Sequence, residues 1–235
     1  MKEIADGLMS ISLYIIPLAS IIFIARKLIR IPDELFRKLL HFVLLGAYIP
    51  FVFGFDDWYV SAGVAASLIV ILYPILILAG KISSFSSFVN ERKKGEFKSS
   101  MILALATMVF SITICWGIFD DRYLVLATVY AWGIGDAFAA LIGKKYGKHK
   151  IKWKLADSKK SVEGTLAMVI SSSIAVFIVL LCRGGLTIPY CVLISILASL
   201  LSSIVELCTK NGLDTITCPS AAMLVIIPLV KLFGV

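Results

Sequence analysis

The sequence is poor in charged residues and lacks the short motifs that mark common soluble enzymes. Only 16% of its 235 residues are Asp, Glu, Lys or Arg, whereas 60% are hydrophobic. A soluble domain of this size needs far more polar surface to cover its core. No Walker A, HExxH or GxSxG segment occurs, and Gly133-Ile-Gly135 lies inside an apolar run rather than after a strand. A soluble nucleotide-binding, zinc-protease or hydrolase domain is therefore excluded.

Cysteine is also scarce and shows no pattern. The five cysteines have no CxxC spacing and no neighbouring histidine, which argues against a thiolate metal site or a disulfide framework. The N-terminal apolar run has neither a positively charged n-region before it nor an evident small-residue cleavage site after it. We expect that run to be retained as a membrane span rather than removed as a signal peptide.

Long apolar stretches recur along the whole chain. A hydrocarbon core of roughly 30 Å is crossed by about 20 apolar residues in a helix. Stretches that meet this requirement lie near residues 8–25, 39–55, 58–79, 101–119, 122–142, 165–182, 186–207 and 216–234. The sequence predicts an all-α polytopic membrane protein with about eight transmembrane helices. It forms a single membrane domain over residues 1–235, with the candidate catalytic motifs within 35–220.

The basic residues alternate with these spans. Nineteen of the 23 lysines and arginines fall in the connections after spans 1, 3, 5 and 7. The positive-inside rule then places those connections in the cytoplasm and both termini on the other side. Because topology explains most of the net charge of +8, nucleic acid is not an expected partner. Membrane lipids with anionic headgroups and a phosphorylated substrate are the expected ones.

Asp136 is the residue that this topology explains least. It lies about seven residues inside the predicted end of span 5, or roughly 10 Å from it, among small residues. One interpretation is a tight helix seam with an acid that pairs with a lysine. The other is a divalent-metal or substrate site, since acids within membrane spans usually serve a function.

Polar residues also gather around the start of span 6. Ser158 or Ser161 is placed to cap that helix. A helix start flanked by Lys159 and Lys160 offers amide groups, the positive end of the dipole and two ammonium groups to a phosphate. Glu163 is placed either to satisfy the dipole or to hold a metal ion that bridges phosphates.

Two further groups lie near the same predicted face of the membrane. Arg37 and His41 are four residues apart at the start of span 2, so they face the same way on a helix. Glu206 and Asp214 bracket the connection between spans 7 and 8. Each of these residues also has an ordinary interfacial interpretation, which the residues alone leave open.

These fragments in this order resemble the CTP-dependent lipid-alcohol kinase family, which includes dolichol, phytol and farnesol kinases and CTP-dependent diacylglycerol kinases. The resemblance covers roughly residues 35–225. Its carriers are Arg37-Lys38-x-x-His41, Glu91-Arg92-Lys93-Lys94-Gly95-Glu96, Gly135-Asp136-Ala137 through Gly147-Lys148, Lys160-Ser161-x-Glu163-Gly164-Thr165, and Glu206 with Asp214-x-x-Thr217-x-Pro219. The family's last motif has Asn after its Asp, whereas this chain has Thr215.

The resemblance implies transfer of the γ-phosphate of CTP to the hydroxyl of a membrane lipid alcohol at the cytoplasmic face. It implies Mg²⁺ as the cofactor, with Asp136, Glu163, Glu206 and Asp214 as candidate metal ligands. The candidate catalytic residues are Arg37, His41, Asp136, Lys160 and Glu163. The residues that it implies for nucleotide binding are Lys144, Lys148, Lys159, Lys160, Ser161, Gly164 and Thr165. The expected location is the cell membrane of a prokaryote or the endoplasmic reticulum of a eukaryote.

Two other functions are compatible with parts of the pattern. A CTP:phosphatidate-type cytidylyltransferase shares the Gly-Asp segment, the Gly-Lys loop and a Lys-x-x-Glu-Gly, but the early Arg-Lys-x-x-His and the closing acidic motif favour the kinase. A transporter accommodates intramembrane acids and the prolines of span 8. However, no clear internal repeat is present, and the polar residues cluster towards one face.

Overall fold

The described part of the chain is almost entirely helical. The computed structural model describes residues 2–29, 31–81, 95–151, 160–209 and 212–234. The helices in these ranges are α1 (Lys2–Leu28), α2 (Asp33–Phe53), α3 (Trp58–Ala79), α4 (Glu96–Ser111, continued by a π-helix over Ile112–Ile118), α5 (Arg122–Tyr146), α6 (Val162–Arg183), α7 (Ile188–Cys208) and α8 (Asp214–Phe233). No strand is present in these ranges, and their one β-bridge joins Lys150 to Ser161.

Each of these eight helical spans is long and apolar enough to cross a membrane. The shortest, α8, has 20 residues, which at 1.5 Å per residue reaches about 30 Å. The predicted fold class and number of spans are confirmed. The first two helices begin earlier than predicted, at Lys2 and Asp33 instead of residues 8 and 39. The reason is that their first turns are polar and were not part of the apolar stretch.

The chain divides into two compact units, Met1–Gly117 and Ile118–Val235. In the first unit α1 packs on α2, α2 on α3 and α3 on α4. In the second unit α5 is the central helix, since it contacts α6, α7 and α8 and has the most buried apolar stretch of the eight. The candidate residues Asp136 to Asp214 all belong to this second unit. A single membrane domain stays a prediction.

Small residues let α5 and α6 approach each other closely. A Cβ atom on Gly164 would lie 3.0 Å from the Ala139 carbonyl oxygen and 3.2 Å from the Gly143 Cα, both of them backbone atoms. Further along the same contact, the Ser172 hydroxyl of α6 donates to the Ala131 carbonyl of α5 at 2.6 Å. The two helices therefore touch backbone to backbone, as is common where helices associate within a membrane.

The start of α6 is capped as the sequence predicts. Ser161 is the N-cap residue, and its hydroxyl accepts a hydrogen bond from the Gly164 amide at 3.2 Å. The alternative cap, Ser158, lies outside the described residues. This cap fixes the point from which Lys160 and Glu163 extend.

Candidate functional site

The chain returns from α5 to α6 through a short antiparallel pairing. The Val162 amide donates to the His149 carbonyl at 2.9 Å, and the Ile151 amide donates to the Lys160 carbonyl at 3.1 Å. This pairing and the cap already use the Val162 and Gly164 amides. The expectation of free amide groups for phosphate at this helix start is therefore wrong for these two residues. Binding of an anion here has to depend more on the lysines.

Lys160 forms an ion pair with Glu206 near the end of α7. Its Nζ lies 2.8 Å from Glu206 Oε1, and it also donates to the Glu206 backbone carbonyl. Only 20% of the lysine side chain and 11% of the glutamate side chain are exposed. Because the pair is partly withdrawn from water, removing either partner would leave a poorly solvated charge.

Two further acids surround this pair. Asp136 on α5 and Asp214, the first residue of α8, lie close enough to Glu206 for their charges to act on its carboxyl. Asp136 is half-buried, and α5 continues for ten residues beyond it to Tyr146. The structure thus brings together four of the predicted site residues from three helices and one helix start. Three acids and one lysine of the described residues therefore lie in one region of this unit, and they are of the types that bind cations and phosphates.

Glu163, by contrast, is directed to His149 rather than to Lys160. Its Oε1 lies 2.6 Å from the ring Nδ1 of His149, and the His149 amide donates to Oε1 at 3.1 Å and to Oε2 at 3.3 Å. The expected set of Asp136, Lys160 and Glu163 is therefore only partly assembled. Lys160 and Asp136 both lie near Glu206, whereas the Glu163 carboxylate is bound by the chain that precedes it.

The remaining candidates in this unit lie around the same helix start. Lys144 and Lys148 are exposed at and after the end of α5. The Thr165 hydroxyl donates to the Ser161 carbonyl at 3.1 Å, within the first turn of α6. Gly164 has a structural reason to lack a side chain, namely its contact with α5. Lys159 lies outside the described residues.

Arg37 and His41 belong to the first unit, and their contacts are given within that unit. Arg37 pairs with Glu34 of the same helix, with 2.5 Å between Nη2 and Oε1. The His41 ring meets Phe42 edge to face, with 6.5 Å between the ring centroids. Their roles in catalysis stay predictions.

The donor set around Glu206 has the chemistry of a magnesium site. Carboxylate oxygens are the ligands that Mg²⁺ prefers, and the ion usually binds through one or two of them together with substrate phosphates. Within the described ranges no group of three or more His, Cys, Asp or Glu residues is arranged so that it could hold a metal ion. The residues fit a metal that arrives with a nucleotide better than a metal held by protein alone.

Sequence reasoning missed two features of this site. It did not identify Glu206 as the partner of Lys160, because 46 residues separate them and no periodic pattern links them. It also passed over His149 as one polar residue among lysines. The signal that could have identified His149 was Glu163, because an acid at a helix start can accept hydrogen bonds from the segment that precedes the helix.

A family model and several curated relatives match this chain. Residues 5–209 match the cytidylyltransferase family. Dolichol kinase of Homo sapiens is 29% identical over 169 residues, which cover 66% of this chain and 31% of that protein. Phytol kinase of Synechocystis sp. is 33% identical over 97 residues, which cover 41% of this chain and 40% of that protein. Dolichol kinase of Saccharomyces cerevisiae is 28% identical over 152 residues, which cover 61% of this chain and 27% of that protein.

The matched regions are only part of these relatives, since the chain spans about a third of the length of the dolichol kinases. No solved structure matches the chain. The relatives confirm the resemblance to the lipid-alcohol kinases. The match over residues 5–209 shows that this integral membrane protein belongs to the cytidylyltransferase family.

Proposed function

We propose that this protein is a lipid-alcohol kinase that transfers the γ-phosphate of CTP to the hydroxyl of a membrane isoprenoid alcohol of the polyprenol or dolichol type. Diacylglycerol is a second candidate acceptor. The names of the curated relatives, dolichol kinase and phytol kinase, support the acceptor class. The nucleotide is proposed from the family description and from the sequence motifs.

The observation that carries this proposal is the cluster formed by Asp136, Lys160, Glu206 and Asp214. Asp136, Glu206 and Asp214 lie on helices long enough to span a membrane, and Lys160 lies two residues before another such helix. Glu206 and Asp214 lie at or near helix ends. An isoprenoid alcohol keeps its tail in lipid and exposes its hydroxyl at the interface. A charged cluster at the ends of apolar helices is where such a hydroxyl and a water-soluble nucleotide can meet.

Phosphoryl transfer requires little covalent chemistry from the protein. It depends on positioning and on the neutralisation of charge on the transferred group. Lys160 supplies an ammonium group for the phosphates, with Lys144 and Lys148 as exposed cations nearby in sequence. Either Glu206 or Asp214 serves as the acceptor of the alcohol proton, which leaves the oxygen free to bond phosphorus as the bond to the β-phosphate oxygen breaks.

Asp136 is the first choice for a Mg²⁺ ligand, with Asp214 or Glu206 beside it. When bound, Mg²⁺ neutralises phosphate charge and aligns the β- and γ-phosphates. Glu163 enters such a site only if its carboxylate leaves His149. Asp136 therefore ranks before Glu163 as the acid whose loss affects the metal requirement.

We place this cluster on the cytoplasmic side of the membrane. The support is the positive-inside rule, since eight of the 23 lysines and arginines lie between residues 144 and 160, where the chain passes from α5 to α6. A variant in which the five native cysteines are replaced and one cysteine is introduced at Lys145 tests this, by labelling with an impermeant maleimide in intact cells and in inverted vesicles. Labelling in intact cells would contradict it.

A second function, transfer of CMP to phosphatidate with release of pyrophosphate, is favoured by the description of the matched family. Purified protein in lipid vesicles, supplied with CTP labelled at the α- or the γ-phosphate, distinguishes the two. We expect γ-label to enter lipid when a polyprenol is present and α-label to stay in water. Incorporation of α-label into lipid with phosphatidate as the acceptor would establish the cytidylyltransferase instead.

A further inference from the structure

The Glu163 carboxylate contacts one residue through both its ring and its main chain. His149 lies 14 positions earlier, and its ring Nδ1 and its amide both reach the carboxylate, at 2.6 Å and 3.1 Å from Oε1. The second oxygen, Oε2, is 3.3 Å from the same amide. A carboxylate accepts from Nδ1 only if that nitrogen carries the proton, so Glu163 fixes the ring tautomer and orientation as well as the backbone.

These contacts reinforce the pairing of the two strand-like segments before α6. His149 to Ile151 runs antiparallel to Lys160 to Val162, with amide-to-carbonyl distances of 2.9 and 3.1 Å. Lys160 is part of that pairing and sends its side chain to Glu206. The bond between Glu163 and His149 therefore adds to the main-chain bonds that hold the segment containing Lys160.

We propose that Glu163 is a positioning residue that acts through His149, and that it is not a metal ligand. The two residues form a clamp, Glu163 with His149, that holds Lys160 and the start of α6 in place for the phosphates of the nucleotide. The nature of the ligand rests on the proposed function, whereas the clamp rests on the hydrogen bonds alone.

The clamp predicts that changes at either residue act in the same direction, although His149→Ala leaves the main-chain amide of residue 149 donating to Glu163. Glu163→Gln and His149→Ala should each raise KM for CTP about ten-fold, because a displaced lysine binds phosphate less well, while kcat changes less. The double variant should be no worse than the worse single variant, since the contact between the carboxylate and the ring is the one that both changes disrupt. His149→Asn, whose side-chain amide can donate where Nδ1 does, should recover most of the loss.

The Mg²⁺ requirement separates this role from metal binding. Under the proposal, the Mg²⁺ concentration for half-maximal rate is the same in wild type, Glu163→Gln and His149→Ala. The proposal is overturned if Glu163→Gln raises that concentration several-fold while His149→Ala behaves as wild type. The His149 ring is exposed over 79% of its side chain, so its replacement should not prevent folding.

Amide hydrogen exchange tests the clamp without any assay of activity. Exchange in peptides that contain residues 149–151 and 160–165 should become faster in Glu163→Gln and in His149→Ala, and should return towards wild type in His149→Asn. Asp33→Asn is the matched control, because Asp33 is also an acid in the first turn of a helix and pairs with Arg26. It should leave these peptides unchanged.

Unchanged exchange in both clamp variants would refute the positioning role. Because exchange is measured without substrate, it decides the clamp even if the wild type transfers no phosphate. Loss of the proposed kinase function and loss of the clamp are therefore separate results.

Discussion

The second unit carries an ion pair at each end of α6, and the two ends differ in how their charges are matched. At the Lys160 end, Lys160 pairs with Glu206 while Asp136 and Asp214 act on the same carboxyl. At the Arg183 end, Arg183 pairs with Asp121, with 2.5 Å between Nε and Oδ2.

The polar groups at the Arg183 end satisfy one another. Asp121 also caps α5, accepting from the Tyr123 and Leu124 amides at 3.0 and 3.3 Å. Arg183 in turn donates to the Gly184 carbonyl at 2.9 Å. This arrangement needs no ligand, and its role is to hold α5 and α6 together. At the Lys160 end, by contrast, Asp136 and Asp214 act on the carboxyl of the ion pair, which is why we assign the candidate site to this end.

The largest expected effect is the loss of activity in Asp136→Asn. Removing this carboxylate should lower transfer of labelled phosphate from CTP to lipid by at least about a hundred-fold, as is typical when one group that stabilises transition-state charge is lost. The melting temperature should stay close to that of wild type. Asp6→Asn, an exposed acid in the first unit, is the matched control and should remain active. Near-normal turnover in Asp136→Asn would contradict the assignment of the active site to the Lys160 end of α6.

Replacing each lysine or arginine of the two ion pairs by Met compares the ends directly. Both changes leave a poorly solvated acid, at an expected loss of about 3 kcal/mol in the free energy of unfolding. Lys160→Met should in addition lower turnover per folded molecule about a hundred-fold, because the phosphates lose their cation. Arg183→Met should keep turnover per folded molecule within about two-fold, given the structural role of the pair. Equal losses of turnover would show that the two ends do not differ in function.

Gly164→Ala tests whether the backbone contact between α5 and α6 supports the Lys160 end. The new Cβ would meet two backbone atoms at 3.0 and 3.2 Å, so the helices would have to separate. We expect a loss of about 1–3 kcal/mol in the free energy of unfolding. Gly63→Ala is the control, because a Cβ there has no neighbour within 4 Å. A stable Gly164→Ala protein with raised KM for CTP would instead point to contact between Gly164 and the nucleotide.

The smallest expected effect is at Ser172, midway between the two ends. Ser172→Ala removes the 2.6 Å hydrogen bond to the Ala131 carbonyl and should lower the free energy of unfolding by about 0.6 kcal/mol. Ser171→Ala removes only bonds to the Ala167 and Met168 carbonyls of its own helix and should change stability less. A larger effect at Ser171, measured by thermal unfolding in the same detergent, would contradict the importance of the contact between α5 and α6.

The sequence predicted the helices well because apolar length is a local property. The eight spans, the Ser161 cap and the suspicion about Asp136 all follow from residues within a few turns of one another. The pairing of Lys160 with Glu206 and of Glu163 with His149 did not follow, because each depends on how distant segments meet. Gly164 shows the same limit, since a motif glycine next to a phosphate-binding helix start has a packing role that only the position of Ala139 and Gly143 reveals.

An ammonium group has three N–H bonds to give. In the described part of the chain Lys160 directs two of them to Glu206, one to the carboxylate and one to the main-chain carbonyl at the end of α7. The third N–H bond can be donated to a ligand. An incoming anion can therefore bind Lys160 without displacing Glu206. The contact between α7 and the segment before α6 is then kept while the anion is bound.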